Sequence, residues 1–127
     1  PEHEHYKLVY SQVCSETGET PRALVTLAVG GVESKSEAEG GGPVDAVFKA
    51  IEHTVGSTAE LLLYSVNAIT TGTDAQGEVT VRLAKGGRIV NGSGSDTDIV
   101  IASARAYLNA LNKLYSSGDK VKAQGDV

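Results

Sequence analysis

Apolar and polar positions first follow a period of two and then switch to a helical period. Tyr6 to Ser15, YKLVYSQVCS, is rich in Tyr and Val and suits a strand. Glu16 to Pro21, with Thr17, Gly18 and Pro21, suits a turn. Arg22 to Val29 predicts a second strand, Gly30-Gly31 a two-residue hairpin, and Val32 to Glu39 a third strand with a polar face. Gly40 to Pro43 interrupts the alternation. Proline is favoured at the first helical position, because its missing N–H would have no partner there. Asp45 complements the positive end of the helix dipole. Val44, Val47, Phe48, Ile51 and Val55 then form one apolar stripe, and Gly56 stops the helix.

The same order returns. Ala59 to Ile69 predicts a long apolar strand, Asp74 to Gly77 a turn, and Glu78 to Ala84 an alternating strand. Gly86-Gly87 predicts a second hairpin and Arg88 to Asn91 a short strand; Gly92, Gly94 and Asp96 read as a loop. Asp96 or Asp98 can cap the following helix. Its residues Val100, Ala104, Tyr107, Leu111 and Leu114 form a seam long enough to pack on a partner. At an offset of 56 residues, Gly30-Gly31 falls on Gly86-Gly87, and Val25 and Leu27 fall on Val81 and Leu83. The expected fold is α+β: duplicated βββα units, two three-stranded sheets with two helices, pseudo-twofold and dimeric. The expected boundaries are a disordered tail over 1–5, a domain over 6–115 divided into units 6–57 and 58–115, and a flexible tail over 116–127.

Composition narrows the function. The chain has 127 residues, 16 acidic against 11 basic side chains, and a net charge of −5. The first 58 residues hold nine acids and four bases, whereas the remainder is balanced. Glu33, Glu37 and Glu39 read as the solvent face of a strand. This balance argues against nucleic acid, which needs a basic face. No apolar run has the roughly 18 residues of a membrane span. The lone Cys14 excludes an internal disulfide, reads as a buried structural thiol, and points to a reducing, cytoplasmic setting. Aromatic residues make up only 5%, so base- or sugar-stacking platforms are not expected.

Three segments carry a resemblance: GGGPVDAVFKAI (Gly40 to Ile51), LLLYSVNAITTGTDAQ (Leu61 to Gln76) and GSGSDTDIVIASARAYLNALN (Gly92 to Asn112). Over about residues 6–115 the chain resembles the C-terminal regulatory domain of 2-isopropylmalate synthase. The pattern Gly-x-Gly-Pro-apolar-Asp-Ala appears as Gly40, Gly42, Pro43, Val44, Asp45 and Ala46. A second, Gly-x-Gly-x-x-x-Asp-Ile-Val, appears as Gly92, Gly94, Asp98, Ile99 and Val100. Gly41 departs from the family, many of whose members have Asn or Asp there.

The resemblance implies a parent enzyme that condenses acetyl-CoA with 3-methyl-2-oxobutanoate on a metal-bearing TIM barrel. It implies no cofactor in this domain. It also implies that L-leucine binds at a dimer interface and inhibits the barrel. This chain is too short for a barrel, which needs roughly 200 residues or more, so no catalytic residue is expected. The implied leucine site draws on Gly40, Gly42, Val44, Asp45 and Ala46 at the first helix. Leu61, Tyr64, Ala68 and Ala75 line it, and Gly94, Ser95 and Asp96 form the symmetry-related site. Two alternatives are an isoleucine-sensing domain of citramalate synthase and a dimerisation module without a ligand.

Without the resemblance, Gly40 to Pro43 is a turn with positive φ angles, the aspartates are caps, and Tyr64 is a core aromatic. With it, small residues let an amino acid reach backbone N–H groups at a helix start. Gly42→Val is expected to lower stability modestly, by restricting the loop, and to abolish leucine binding. His3-Glu4-His5 has the spacing of two barrel metal ligands, but no third ligand is in view and the triplet reads as a solvated linker. Gly92-Ser93-Gly94-Ser95 lacks the spacing of a nucleophile elbow and the lysine of a P-loop, so a hydrolase fails for want of a triad.

Overall fold

The alternating segments become two antiparallel sheets of three strands, ordered β1-β2-β3 and β4-β5-β6, each followed by a helix. The computed structural model describes residues 4–72 and 74–125; residues 70, 71, 74 and 117–125 are described by their backbone alone. The strands are β1 (Tyr6–Cys14), β2 (Arg22–Val29), β3 (Val32–Glu39), β4 (Glu60–Thr71), β5 (Asp74–Lys85) and β6 (Arg88–Asp96). The helices are α1 (Pro43–Val55) and α2 (Ile99–Gly125). The fold is the α+β pair of βββα units expected from the sequence.

The duplication extends to an irregularity the sequence did not reveal. The β1–β2 register shifts between Leu8 and Tyr10, and the β4–β5 register shifts between Leu61 and Leu63. Leu8 faces Leu27, and Leu61 faces Leu83, at equivalent places in the two sheets. A bulge bends and twists its strand, so both first strands curl alike. Both hairpins turn on glycine pairs in the left-handed region: Gly30 and Gly31 at φ 59° and 89°, Gly86 and Gly87 at 59° and 80°. Only glycine adopts that conformation at no steric cost.

Central-strand residues Ala23, Val25 and Leu27 of β2 and Val79, Val81 and Leu83 of β5 are fully buried. They share one core with Val47 and Ile51 of α1 and with Ala104, Tyr107 and Leu111 of α2. Each large apolar side chain in it contributes roughly 1.5–3 kcal/mol. The α2 seam expected to meet a partner is thus occupied within its own chain.

Three boundaries differ from expectation. The β4–β5 turn lies at Gly72 (φ 64°), not over Asp74 to Gly77; Gly77 is a strand residue facing Ala68. β6 continues through Gly92 and Gly94 to Asp96 instead of ending at Asn91. The backbone of α2 continues to Gly125 past the expected limit of 115, because no proline interrupts its hydrogen bonding. At the other end, His5 is not a solvated linker: its ring stacks on Tyr115 at 3.8 Å, and its carbonyl accepts from Gly30 N–H at 2.9 Å. Cys14, expected to be buried, is exposed, because it ends the edge strand β1. The expectations for residues 1–3, 126 and 127 lie outside the described residues.

Candidate functional site

The first helix starts with little side-chain capping, and the chain compensates locally. Gly42 is the N-cap, extended at φ −162°, and its carbonyl accepts from Ala46 N–H at 2.9 Å. Pro43 has no N–H to satisfy. None of Gly40, Gly41 and Gly42 has positive φ, so the chain bends into the helix without the positive φ angles of the turn reading. Gly40 has a different constraint: a Cβ on it would lie 2.5 Å from Ala46 N, because the first turn of α1 folds back against the end of β3. At Gly42 a Cβ would meet nothing within 4 Å. The first atom of a side chain there therefore meets no clash.

From this start, Asp45, Phe48, Lys49, Glu52 and His53 form one face of α1, beside the stripe that enters the core. With Leu61 of β4 and Tyr107 of α2 they line a cavity of about 250 Å³. Its floor is aromatic: Phe48 stacks on Tyr107 with centroids 4.4 Å apart, and Tyr64 stands edge-on to Phe48 at 6.0 Å. Its rim carries both signs of charge. Asp45 Oδ2 accepts from Gly41 N–H at 2.9 Å and pairs with Lys49 Nζ at 3.2 Å. The Gly41 N–H, with help from Lys49, holds the Asp45 carboxyl below the usual carboxylate range. Glu52 accepts from Tyr107 hydroxyl at 3.0 Å, from Thr58 N–H at 3.1 Å and from Ser57 hydroxyl, joining α1, the inter-unit linker and α2. Burial and then the Glu52 carboxylate push the Tyr107 phenol well above its ordinary pKa.

The implied site residues divide over this geometry. Asp45 and Leu61 line the cavity. Leu61, Tyr64 and Ala68 face Leu83, Val81 and Gly77 across the β4–β5 ladder, and Ala75 faces Thr70, so all four project on the helix-bearing side of the sheet. Tyr64 borders the cavity through Phe48; Ala68 and Ala75 continue its face toward the hairpin. Gly40 and Gly42 precede α1, Val44 packs at the core margin, and Ala46 is fully buried.

Gly94, Ser95 and Asp96 lie elsewhere, on β6 at the opposite edge of the same sheet from β4. A Cβ on Gly94 would lie 2.6 Å from Ala102 O, and one on Gly92 would lie 2.5 Å from Ala110 N. These glycines admit the backbone of α2 and lie within a strand, which corrects the reading of Gly92 to Asp96 as a loop at a helix start. Asp96 accepts from Asp98 N–H at 2.8 Å and lies 3.6 Å from Arg105, and Asp98 accepts from Val100 N–H at 2.8 Å, so both aspartates serve the helix start.

Gly94 and Ser95 border a second groove, of about 330 Å³, with Leu8, Arg105 and Asn109. It is the pseudo-symmetric counterpart of the first, with Arg105 where Lys49 stands and Leu8 where Leu61 stands. Here the edge strand is tied down. Asn112 accepts from Tyr6 N–H at 2.8 Å and donates to Tyr6 O at 2.9 Å, docking β1 on α2. At the offset of 56, Gly56 takes the place of Asn112, and among the described residues β4 has no such clamp to α1. One groove is therefore polar, with its strand docked on the helix; the other is the more apolar.

The sequence reading missed Phe48, Lys49, Glu52, His53 and Tyr107. Spacings of three and four from Asp45 mark the first four as one helical face, but nothing in the sequence places that face against β4. Among the described residues, no three His, Cys, Asp or Glu side chains group closely enough to hold a metal ion. No described helix is long and apolar enough to cross a membrane.

Comparison with known proteins assigns the architecture. The family model described as "LeuA allosteric (dimerisation) domain" matches residues 1–115. The chain belongs to this family. The chain is 79% identical over its full length to 2-isopropylmalate synthase of Dechloromonas aromatica, covering 25% of that protein. It is 67% identical over 98% of its length to the enzyme of the same name from Aromatoleum aromaticum, covering 24% of it. It is 69% identical over 97% of its length to that of Burkholderia pseudomallei, again covering 24%. The chain thus spans about a quarter of the length of these relatives. For a LeuA allosteric (dimerisation) domain, the informative surface is the one left uncovered. Leu61, Leu62, Leu63, Tyr64, Val66 and Ile69 of β4 are each 37–44% exposed on an edge strand. Such a strand offers apolar side chains and unpaired backbone groups together.

Proposed function

We propose that this domain binds L-leucine between α1 and the uncovered face of β4, at the interface of a homodimer, and so conveys feedback inhibition to a 2-isopropylmalate synthase. The observation that carries the reading is the open cavity beside Tyr64, built on the family's regulatory fold. An amino acid presents an ammonium, a carboxylate and one side chain. The cleft offers the carboxylates of Asp45 and Glu52, the ammonium of Lys49, and an apolar floor of Phe48, Leu61 and Tyr107. The N–H groups of Val44 and Asp45 precede the first intrahelical bond and add donors for a carboxylate. A cavity of about 250 Å³ lies just below the roughly 300–1,000 Å³ of drug-sized pockets, which suits an amino acid.

On this reading the parent reaction is an acyl transfer from acetyl-CoA to 3-methyl-2-oxobutanoate. Its acetyl-CoA and divalent-metal sites then belong to the rest of the parent chain, and leucine is the end product that the domain senses. The exposed apolar strip of β4 is the surface a second copy covers. The test is thermal unfolding with millimolar ligand. L-leucine should raise the melting temperature by mass action, by the equivalent of about 2.7 kcal/mol at a hundredfold excess over Kd. D-leucine and alanine should do far less. An equal or larger shift with isoleucine would assign the domain to isoleucine sensing. No shift with any of them, on folded protein, would leave a dimerisation module.

A further inference from the structure

Ser103 is a fully buried polar side chain on α2. Its hydroxyl lies 2.8 Å from the hydroxyl of Tyr64, in a bond in which either oxygen can donate. Among the described residues this is the hydrogen bond that joins a β4 side chain to α2. A buried serine is not required by the packing. At the offset of 56, Val47 occupies the equivalent position on α1 and is also fully buried. The strand residue equivalent to Tyr64, counted from the matching bulges, is Ser11. The first unit therefore packs an apolar residue where the second places a hydroxyl, and the hydroxyl appears only where the strand carries tyrosine, beside the open cleft.

We infer that Ser103 is a positioning residue for effector recognition, acting through Tyr64; the inference rests on the leucine reading above. Tyr64 is half-exposed on an edge strand that α1 does not clamp. Its ring would be free to rotate toward solvent without a fixed partner for the hydroxyl. Ser103 pins the hydroxyl inside, which sets the ring edge-on against Phe48 at an interplanar angle of 75°. Phe48 in turn stacks on Tyr107, and these two rings form the cavity floor. The shape offered to a branched side chain is thereby set from α2, a helix that among the described residues reaches the cavity through Tyr107. Shape is also what distinguishes leucine from its isomer, since both carry the same polar groups.

The test is a double-mutant cycle on the 127-residue chain, read by leucine and isoleucine titration calorimetry. Ser103→Ala should weaken leucine binding about five- to tenfold, the equivalent of one ordinary hydrogen bond. It should also narrow the preference for leucine over isoleucine. Tyr64→Phe should do the same, and the double variant should be no worse than either single one. Ser103→Thr, which keeps the hydroxyl, should recover most of the affinity. A purely structural serine would lower the melting temperature and leave both dissociation constants unchanged, which would overturn the inference; so would single effects that multiply in the double variant. If Ser103→Ala does not fold, Tyr64→Phe breaks the same bond from the half-exposed side, and wild-type affinity there would be equally decisive. If the wild-type chain binds neither amino acid, the leucine reading fails and this inference fails with it. Wild-type binding with an unaffected Ser103→Ala removes this inference alone.

Discussion

Gly40 and Gly42 stand two residues apart and carry different constraints. A methyl group on Gly40 runs into the backbone of Ala46, whereas one on Gly42 enters open space. Gly40→Ala should therefore destabilise the domain by about 1–3 kcal/mol, the usual cost of overpacking. Gly42→Ala should stay within about 0.5 kcal/mol of wild type. Urea unfolding of the two variants checks the pair, and equal costs would contradict the assignment. On the proposed function, Gly42→Val folds at a modest cost in stability, because a branched side chain restricts the loop, and loses leucine binding, because its methyl groups fill the space beside the helix start. Tyr107 gives a pH-dependent case. Burial and Glu52 raise its pKa in the folded state, so its contribution is fully present below the ordinary phenol value of about 10. That contribution is lost as pH rises through the raised value. Tyr107→Phe should cost about 1–3 kcal/mol at neutral pH through the lost bond to Glu52. The gap between wild type and variant should shrink in unfolding curves above about pH 10; a gap that widens there would contradict the sign.

At the scale of elements, the sequence was most legible where local chemistry decides conformation. The two hairpins on Gly30-Gly31 and Gly86-Gly87, the strand Arg22–Val29 and the helix Pro43–Val55 lie where alternation, glycine pairs, proline and the C-cap Gly56 put them. β6 was misread because glycine, serine and aspartate are common loop residues, while its conformation is decided by a helix lying on it. Gly92 and Gly94 face the backbone of α2, and this close approach has no local signal. The first unit uses Ser36 and Ala38 at the equivalent positions, where Ser36 donates to Ala50 O and accepts from Thr54. α2 therefore packs closer to its sheet than α1 does. Gly92→Ala and Gly94→Ala should each cost about 1–3 kcal/mol or more, since both displace a helix backbone. Ser36→Ala keeps its Cβ and should cost only about 1 kcal/mol for its hydrogen bonds. Chemical denaturation of the three variants orders them, and a mild Gly92→Ala would show that the helix can shift.

For the whole molecule, the two units bury their helices in one shared core and leave the first strand of the second unit uncovered. The sequence showed the duplication but not this asymmetry, which rests on Asn112 docking β1 while Gly56 leaves β4 free. The candidate site was half legible for the same reason. The face of α1 and the residues of β4 could each be read from spacing, yet their meeting across roughly ten to twenty residues of chain, and the arrival of Tyr107 from α2, are tertiary facts. The exposed β4 strip predicts a homodimer of the 13.1 kDa chain. Val66→Lys, on the helix-facing side of β4, should shift sedimentation toward the monomer, whereas a dimer indifferent to that charge would place the interface elsewhere. The most direct test of the central claim is titration calorimetry of L-leucine into the folded chain. The account predicts a saturable heat at one leucine per chain, because the first of the two pseudo-equivalent grooves combines an apolar floor with charged groups, whereas the second is polar and has β1 docked on α2. A folded chain that gives no heat, or that binds two leucines per chain, would contradict it.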